Sequence, residues 1–396
     1  MTKALEGIRV IDLGRYIAAP YGAMMMADMG ADVIRIDKPG GEPDRRLRPF
    51  VEGTSIYAQT FNRNKRCITL NLRTEEGKQY LIEMIKKADV LINNFRPGIM
   101  DSMGLSFEKI QELNPRMIVA SISGFGQKGP LKDRAAFDGI PTAMAGVMYE
   151  NFSYGKGPKP FGTPVADVTT AYINLIAILM ALLQREKTGK GQYIDTAMTD
   201  CMVPYLESMI PTYFVNGPTP NFGKRNGGDP TSAPANVFKA SDGYVYIHAG
   251  ISAHYILLAD MIGDERLNRP EYRDQNYRRD HFEEVEAVVG EWVAKHTAKE
   301  VEDAVSALGI PTSKLNTIGD LLESDYVKSR NQIIWMEVPG IEGKYPFPGS
   351  PLKLSDCMVD TYKSCGVAGC DNDEVFKDIF GLDEAKIAEL REKGII

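Results

Sequence analysis

The opening of the chain confines it to a narrow set of folds. Gly7 to Leu13, GIRVIDL, reads as a buried strand. Residues 20–30, PYGAMMMADMG, read as a helix begun by Pro20 and ended by Gly30. Ala31 to Asp37, ADVIRID, is a second strand. A strand–helix–strand opening implies a parallel sheet. The alternation continues: Asn62 to Arg73 is basic and then strand-like, Glu75 to Lys87 helical, and Asp89 to Asn93 a strand. Phe107 to Leu113 is a short helix and Arg116 to Ser123 another strand. The opening also suits a dinucleotide fold with Asp37 on the ribose. The turn after the first strand, Arg15 to Pro20, lacks G-x-G-x-x-G, so NAD is rejected.

A second stretch, Phe161 to Met198, holds the longest apolar run of the chain. Ala171 to Leu183 carries Ile, Leu and Met at helical spacing. A Gly-Thr-Pro turn and Asp167 come before it, and Thr188 to Gly191 ends it. Asp167 is expected at or next to the N-cap of a long buried helix. There the helix dipole and free N–H groups favour an ionised carboxylate at neutral pH. Such an Asp is either a plain cap or, because the helix is almost wholly apolar, a group facing an enclosed site. Gln192 to Met198 then alternates as a strand, and 197–214 look helical and Met-rich.

Residues 216–236 are rich in Gly, Pro and Asn and mark a boundary. The expected layout is a large α/β domain over 1–224, a smaller α+β domain over 225–325, and a return to the large domain over 326–396. The strand Gly243 to His248 lies in the middle piece, and the tail holds two amphipathic helices split by Gly381.

Composition sets the outer limits. The 396 residues can bury a large core, and the net charge of −7 speaks against nucleic acid or a basic membrane surface. The apolar run after Asp167 is shorter than a membrane span, and the N-terminus does not read as a signal peptide. Five cysteines without framework spacing read as free thiols in a reducing cytoplasm. An anionic substrate must be held by local cations. Lys38, Arg45, Arg46 and Arg48 follow the second strand, where they form a solvated face or a grip on phosphates, and Lys38 with the basic Asn62 to Arg73 segment is the expected phosphate contact. The loop Gly124 to Pro130 is either part of a site or a long turn. His248, His254, His281 and His296 fall in no catalytic spacing, and there is no G-x-S-x-G.

Many segments in one order resemble the class III CoA-transferases, which include formyl-CoA and carnitine CoA-transferases. They are LEGIRVIDLGRYIAAP (5–20), MGADVIRIDKPGG (29–41), FNRNKRCITLNLRTEEGK (61–78) and ADVLINNFRPG (88–98). LNPRMIVASISGFGQKGP (113–130), AFDGI (136–140), TPVADVTTA (163–171), KTGKGQYIDTAM (187–198) and GLDEAKIAEL (381–390) follow. The resemblance implies a Rossmann-like large domain with a parallel sheet, a smaller domain, and two ring-shaped subunits interlocked as a homodimer. It implies Asp167 as nucleophile and coenzyme A thioesters as substrates, with no permanently bound cofactor and no metal. By motif position the coenzyme would meet Ile17, Ala18, Lys38, Leu70, Asn71, Leu72, Arg73, Asn94, Phe95, Arg96, Arg134, Phe137 and Asp138. Ile17 stands where several members have Gln, and Ser102 where they have Arg. Asn226-Gly227-Gly228 partly matches the glycine-rich lid of the formate enzyme.

The implied chemistry suits a carboxylate. Asp167 attacks an acyl-CoA thioester, coenzyme A returns to give an aspartyl thioester, and a carboxylic acid takes the coenzyme by the reverse steps. Two other readings share these residues. A 2-methylacyl-CoA racemase pairs the Asp with a His immediately before the Asp of AFDGI, where this chain has Phe137, which moves no proton. A non-catalytic acyl-CoA binder would have no use for Asp167.

Overall fold

The computed structural model describes residues 3–150, 152–153, 157–217, 231–357, 359 and 361–396. The chain packs into two compact units. One is built from Met1–Ala145, Phe161–Tyr205 and Tyr326–Ile396, the other from Gly146–Pro160 and Leu206–Asp325. The boundary expected near 225 and the Asn226-Gly227-Gly228 segment lie outside the described residues.

The first unit is organised on six parallel strands: β1 (Arg9–Asp12), β2 (Asp32–Asp37), β3 (Arg66–Thr69), β4 (Val90–Asn93), β5 (Ile118–Ser123) and β6 (Tyr193–Ala197). They stand in the order β6-β5-β4-β1-β2-β3. This is the doubly wound arrangement, with its reversal of direction beside β1. Val10 pairs with Val33 on one side of β1 and with Val90 on the other. The central strands β1, β4 and β5 are buried along nearly their whole length because helices cover both sheet faces.

The helices that position the site are α1 (Ala18–Asp28), α2 (Glu75–Ile85), α3 (Phe107–Leu113) and α4 (Val165–Thr188). The α1 helix starts two residues earlier than expected, so Pro20 is its third residue. Met24, Met25 and Met26 of α1 are buried. The α4 helix ends at Gly189, whose φ of 70° only glycine adopts without strain. It packs on α1, β5 and β6. Contact with α1 is close: a Cβ on Gly22 would stand 3.2 Å from the Ala171 carbonyl oxygen.

At 24 residues α4 is longer than its apolar run suggested, and it is long and apolar enough to cross a membrane. Here one face of it, including Ala171, Leu175, Ile178 and Leu182, is buried in the unit. Its other face carries Ile173, Ile176, Met180 and Leu183, the last 68% exposed. The helix is therefore buried on one side only within a single chain.

The end of the chain closes the same core. Helices α5 (Asn372–Phe380) and α6 (Glu384–Glu392) place Val375, Phe376, Ile387 and Leu390 against Ile11, Ile34, Ile68 and Leu81. Gly381 separates them as expected, with φ 68°.

The basic segment Asn62 to Arg66 turns inward. Lys65 is wholly buried and donates to Asp12 (2.7 Å), the Pro20 carbonyl (2.8 Å) and Asn62 (2.8 Å). Arg63 pairs with Asp28 at 2.7 Å, and Arg66 with Asp32 at 2.6 Å. Buried Arg35 joins Asp37, Asp44 and Asn62, and Arg45 also pairs with Asp37. The phosphate contact expected of Asn62 to Arg73 is thus corrected for its basic part, Asn62 to Arg66, and so is the one for Arg45: each of these cations already has a partner within the protein.

The second unit has a three-stranded antiparallel sheet of Ala235–Lys239, Tyr244–His248 and Thr312–Lys314. The helices Phe282–Val293 and Ala298–Ser306 cover it, burying Val289, Val293 and Val301 against Phe238 and Ile247. The expected helix over 197–214 is divided into Met198–Met202, a turn, and Met209–Asn216.

Candidate active site

In an open parallel sheet the loops at the strands' carboxyl ends form the binding crevice. A cavity of ≈ 980 Å³ lies there in the first unit, and every one of the six strands contributes to it. Leu13, Arg15, Tyr16 and Ala18 come from the β1–α1 turn, and Lys38 and Glu42 follow β2. Leu70 to Arg73 follow β3, Asn94 to Pro97 follow β4, Ser123 and Gly124 end β5, and Met198 follows β6. Arg134 to Phe137 close the list of loops, and Asp167 enters from α4. The volume is at the upper end of the range for small-ligand sites.

Asp167 lies in the first turn of α4, with Pro164 at the N-cap position. Its own backbone N–H donates to the Asp138 carboxylate at 3.0 Å. Asp138 thus satisfies one of the helix's free donors, and it stands close enough to act on the Asp167 side chain. Burial pushes the Asp167 carboxyl up to about 7, and the Asp138 charge adds to the shift. This corrects the expectation of a fully ionised group. The helix terminus stabilises the carboxylate, but lost solvation and a like charge outweigh it. Burial, followed by the Asp167 charge, also pushes the Tyr57 phenol up.

The cations divide into two sets. Arg15 pairs with the buried Glu42 at 2.9 Å and lies over the Phe95 ring at 5.2 Å. Lys38, Arg73, Arg96, Lys132 and Arg134 line the cavity exposed, and among the described residues none forms an ion pair. Arg134 rests instead over the Phe125 ring at 5.6 Å. In an acidic protein these are the groups able to hold an anion.

Most of the residues expected around a coenzyme meet at this cavity: Ala18, Lys38, Leu70 to Arg73, Asn94 to Arg96, Arg134 and Phe137. Two stand elsewhere. Ile17 is buried at the N-cap position of α1, and Asp138 serves α4 as described. Ser102 is at the cavity, whereas Arg46 and Arg48 do not line it. Of the Gly124 to Pro130 loop, Gly124 reaches the cavity, and Asp195 holds the loop by accepting from the Gln127 N–H at 3.0 Å. Sequence reasoning missed Arg15, Tyr16, Glu42 and Lys132. For the first two the available signal was their position directly after the first parallel strand.

Tyr16 has a φ of 63°, a left-handed conformation that costs an ordinary side chain about 1 kcal/mol or more. Its ring meets Phe137 edge-on, with centroids 5.9 Å apart. Asn94 accepts from the Arg15 N–H at 2.9 Å and donates to the Arg15 carbonyl at 2.8 Å.

Residues 5–372 match CoA-transferase family III. The succinyl-CoA:mesaconate CoA-transferase of Haloarcula marismortui is 33% identical over 90% of this chain and 91% of its own. The formyl-CoA:oxalate CoA-transferase of Streptomyces avermitilis is 32% identical over the whole of both. A solved CAIB/BAIF family protein from Brucella suis superposes with a TM-score of 0.85 at 30% identity, covering 96% of this chain and all of that one. The chain belongs to CoA-transferase family III, and it is an enzyme of that class.

The Asp167 shift has a consequence for stability. The native carboxyl holds its proton up to about pH 7, whereas an unfolded Asp releases it near 4. Between those values the native state binds more protons, so this group's contribution to stability falls as pH rises. Asp167→Asn should therefore raise the melting temperature at pH 8, by the equivalent of about 2 kcal/mol after allowance for the open side of the cavity. The gain should vanish toward pH 4. Calorimetry of both proteins across this range checks it, and an equal difference at both ends would contradict the shift.

Proposed function

We propose that this enzyme moves coenzyme A from an acyl-CoA donor to a carboxylic acid through a covalent intermediate on Asp167. The observation that carries this reading is a weakly acidic carboxylate sharing one cavity with five cations that form no ion pair among the described residues. A diphosphate-bearing thioester matches that pairing: its phosphates meet Lys38, Arg73 and Arg96, and its acyl carbon meets Asp167.

The steps balance without a proton shuttle or a resident cofactor. Asp167 loses its proton to solvent, and an oxygen attacks the thioester carbonyl. The C–S bond breaks, leaving a mixed anhydride and the coenzyme thiolate, a good leaving group. The thiolate attacks the aspartyl carbonyl, releases the donor acid and forms an aspartyl thioester. The acceptor carboxylate attacks this thioester, and the released thiolate attacks the acceptor's acyl carbon. Acceptor-CoA departs and Asp167 is regenerated. The proposed donors for the developing oxyanions are backbone N–H groups at the start of α4 or of the Gly124 to Gly129 loop. A raised pKa makes the carboxylate a stronger nucleophile once ionised, at the expense of the ionised fraction.

Relatives that use succinyl-CoA act on mesaconate and D-citramalate, and another uses formyl-CoA and oxalate. A short dicarboxylic acid is therefore the proposed acceptor. Phe137 stands where the racemase reading needs a base, and that reading gains no support.

Asp167→Ala should reduce transfer by a factor of 10³ or more, about 4 kcal/mol on the barrier. A panel of dicarboxylic acids with succinyl-CoA, read by mass spectrometry of the new thioesters, supplies the assay. Undiminished transfer by the variant would sink the proposal.

The apolar outer face of α4, with Ile173, Ile176, Met180 and Leu183, supports a homodimer, interlocked as the resemblance implies. Sedimentation at nanomolar concentration should then show about twice 43.9 kDa. A monomer appearing reversibly on dilution would contradict interlocking.

A further inference from the structure

Tyr16 combines three observations that its neighbours explain only together. It is aromatic, it is left-handed, and it lines the cavity. The other described non-glycine residues with positive φ, Glu52, Asn64 and Asn331, do not line it. Strain of this kind persists only where surrounding contacts over-determine it, and it is then a pointer to function.

Those contacts are on both sides of the residue. Before it, Asn94 is bonded at both ends of its amide to the Arg15 backbone, at 2.9 and 2.8 Å. One residue earlier, the Gly14 N–H donates to Asp12 at 2.8 Å, and Asp12 is fixed by Lys65 at 2.7 Å. After it, Lys65 also donates to the Pro20 carbonyl in the first turn of α1. The backbone has no slack at Tyr16. Its ring is driven against Phe137, the residue before Asp138, whose carboxylate accepts from the Asp167 N–H. The two rings therefore belong to the same wall as Asp167.

We propose that Asn94 is a positioning residue that holds Tyr16 left-handed, so that Tyr16 and Phe137 narrow the acyl end of the cavity beside Asp167 and admit short, unbranched acyl groups over branched or aromatic ones. This rests on the reading of Asp167 as the acyl-bearing group. Each ring has only two rotatable bonds, and the edge-on contact sets Tyr16 against Phe137, which is itself 72% exposed. Asn94 thereby acts on the backbone of a neighbour, and its amide is committed before any coenzyme arrives.

The test compares binding of acetyl-CoA with that of 2-methylpropanoyl-CoA and benzoyl-CoA by calorimetry. All proteins carry Asp167→Asn, so that no turnover intervenes. The readout is the ratio of dissociation constants, bulky over small. A general loss of structure weakens both thioesters and leaves that ratio alone. Tyr16→Gly removes the ring, and glycine takes positive φ without strain; the ratio should fall at least tenfold. Tyr16→Phe should keep it. Asn94→Ala should lower the ratio at least fivefold in the Tyr16 protein and less than twofold in the Tyr16→Gly background, where no side chain is left to hold. An unchanged ratio in Tyr16→Gly overturns the wall. The same Asn94→Ala effect in both backgrounds overturns the positioning role. Should Asn94→Ala fail to fold, the contrast of Tyr16→Gly with Tyr16→Phe decides. The wild-type protein, incubated with succinyl-CoA and examined by intact mass, reads the other question. An adduct there with an unchanged ratio sinks this inference alone; no adduct with a changed ratio sinks the transfer reading instead.

Discussion

Lys65 and Asp12 form an ion pair shut off from water, and the working end of the sheet depends on it. Lys65 gathers the end of β1, the first turn of α1 and Asn62 on one ammonium group. Asn62 passes the connection to Arg35, and Arg35 to Asp37 at the end of β2 and to Asp44 in the turn Pro43–Arg46 beyond it. Arg45 carries it to the Gly366 carbonyl in the returning chain end. Such pairs add little net stability over an apolar packing, but breaking one leaves an uncompensated buried charge that costs about 3–5 kcal/mol. Their effect here is to fix where loops leave the sheet. Burial lowers the Lys65 ammonium's affinity for its proton while Asp12 restores part of it.

A second constraint acts at Asp167. The α4 helix must bury its inner face against α1, β5 and β6, which draws Asp167 out of full solvent. Asp138 then binds the Asp167 backbone and adds a like charge nearby. Both effects favour the neutral acid, and the helix terminus opposes them without prevailing. An aspartate held this way is basic for its kind. Stability above neutral pH and basicity are set against each other in one side chain.

The strand–helix alternation was legible because parallel strands buried on both faces are rich in Val and Ile, and five of the six sheet strands fell within two residues of their expected bounds; the exception is β3, which occupies only Arg66–Thr69 of the expected Asn62 to Arg73. The helix after Asp167 was legible from its periodicity and its Gly189 stop. What the sequence concealed were long-range partners. Asn-Arg-Asn-Lys-Arg at 62–66 has the composition of a phosphate grip, yet Asp28, Asp12 and Asp32 claim its charges from other strands and helices. Lys38, Arg73 and Arg96 look no different in the sequence but find no such partner among the described residues. Asp138, expected beside the coenzyme, is turned onto α4. The left-handed backbone of Tyr16 had no local signature at all, since residues such as Asn94 and Lys65 that hold it lie far along the chain.

The central claim is that Asp167 becomes covalently acylated. Hydroxylamine added during incubation with succinyl-CoA intercepts an aspartyl anhydride or thioester as a hydroxamate. Tandem mass spectrometry of the peptide bearing Asp167 should then show replacement of one carboxyl oxygen by NHOH at that residue, dependent on the thioester. An unmodified Asp167 in enzyme that is transferring coenzyme A would contradict the account.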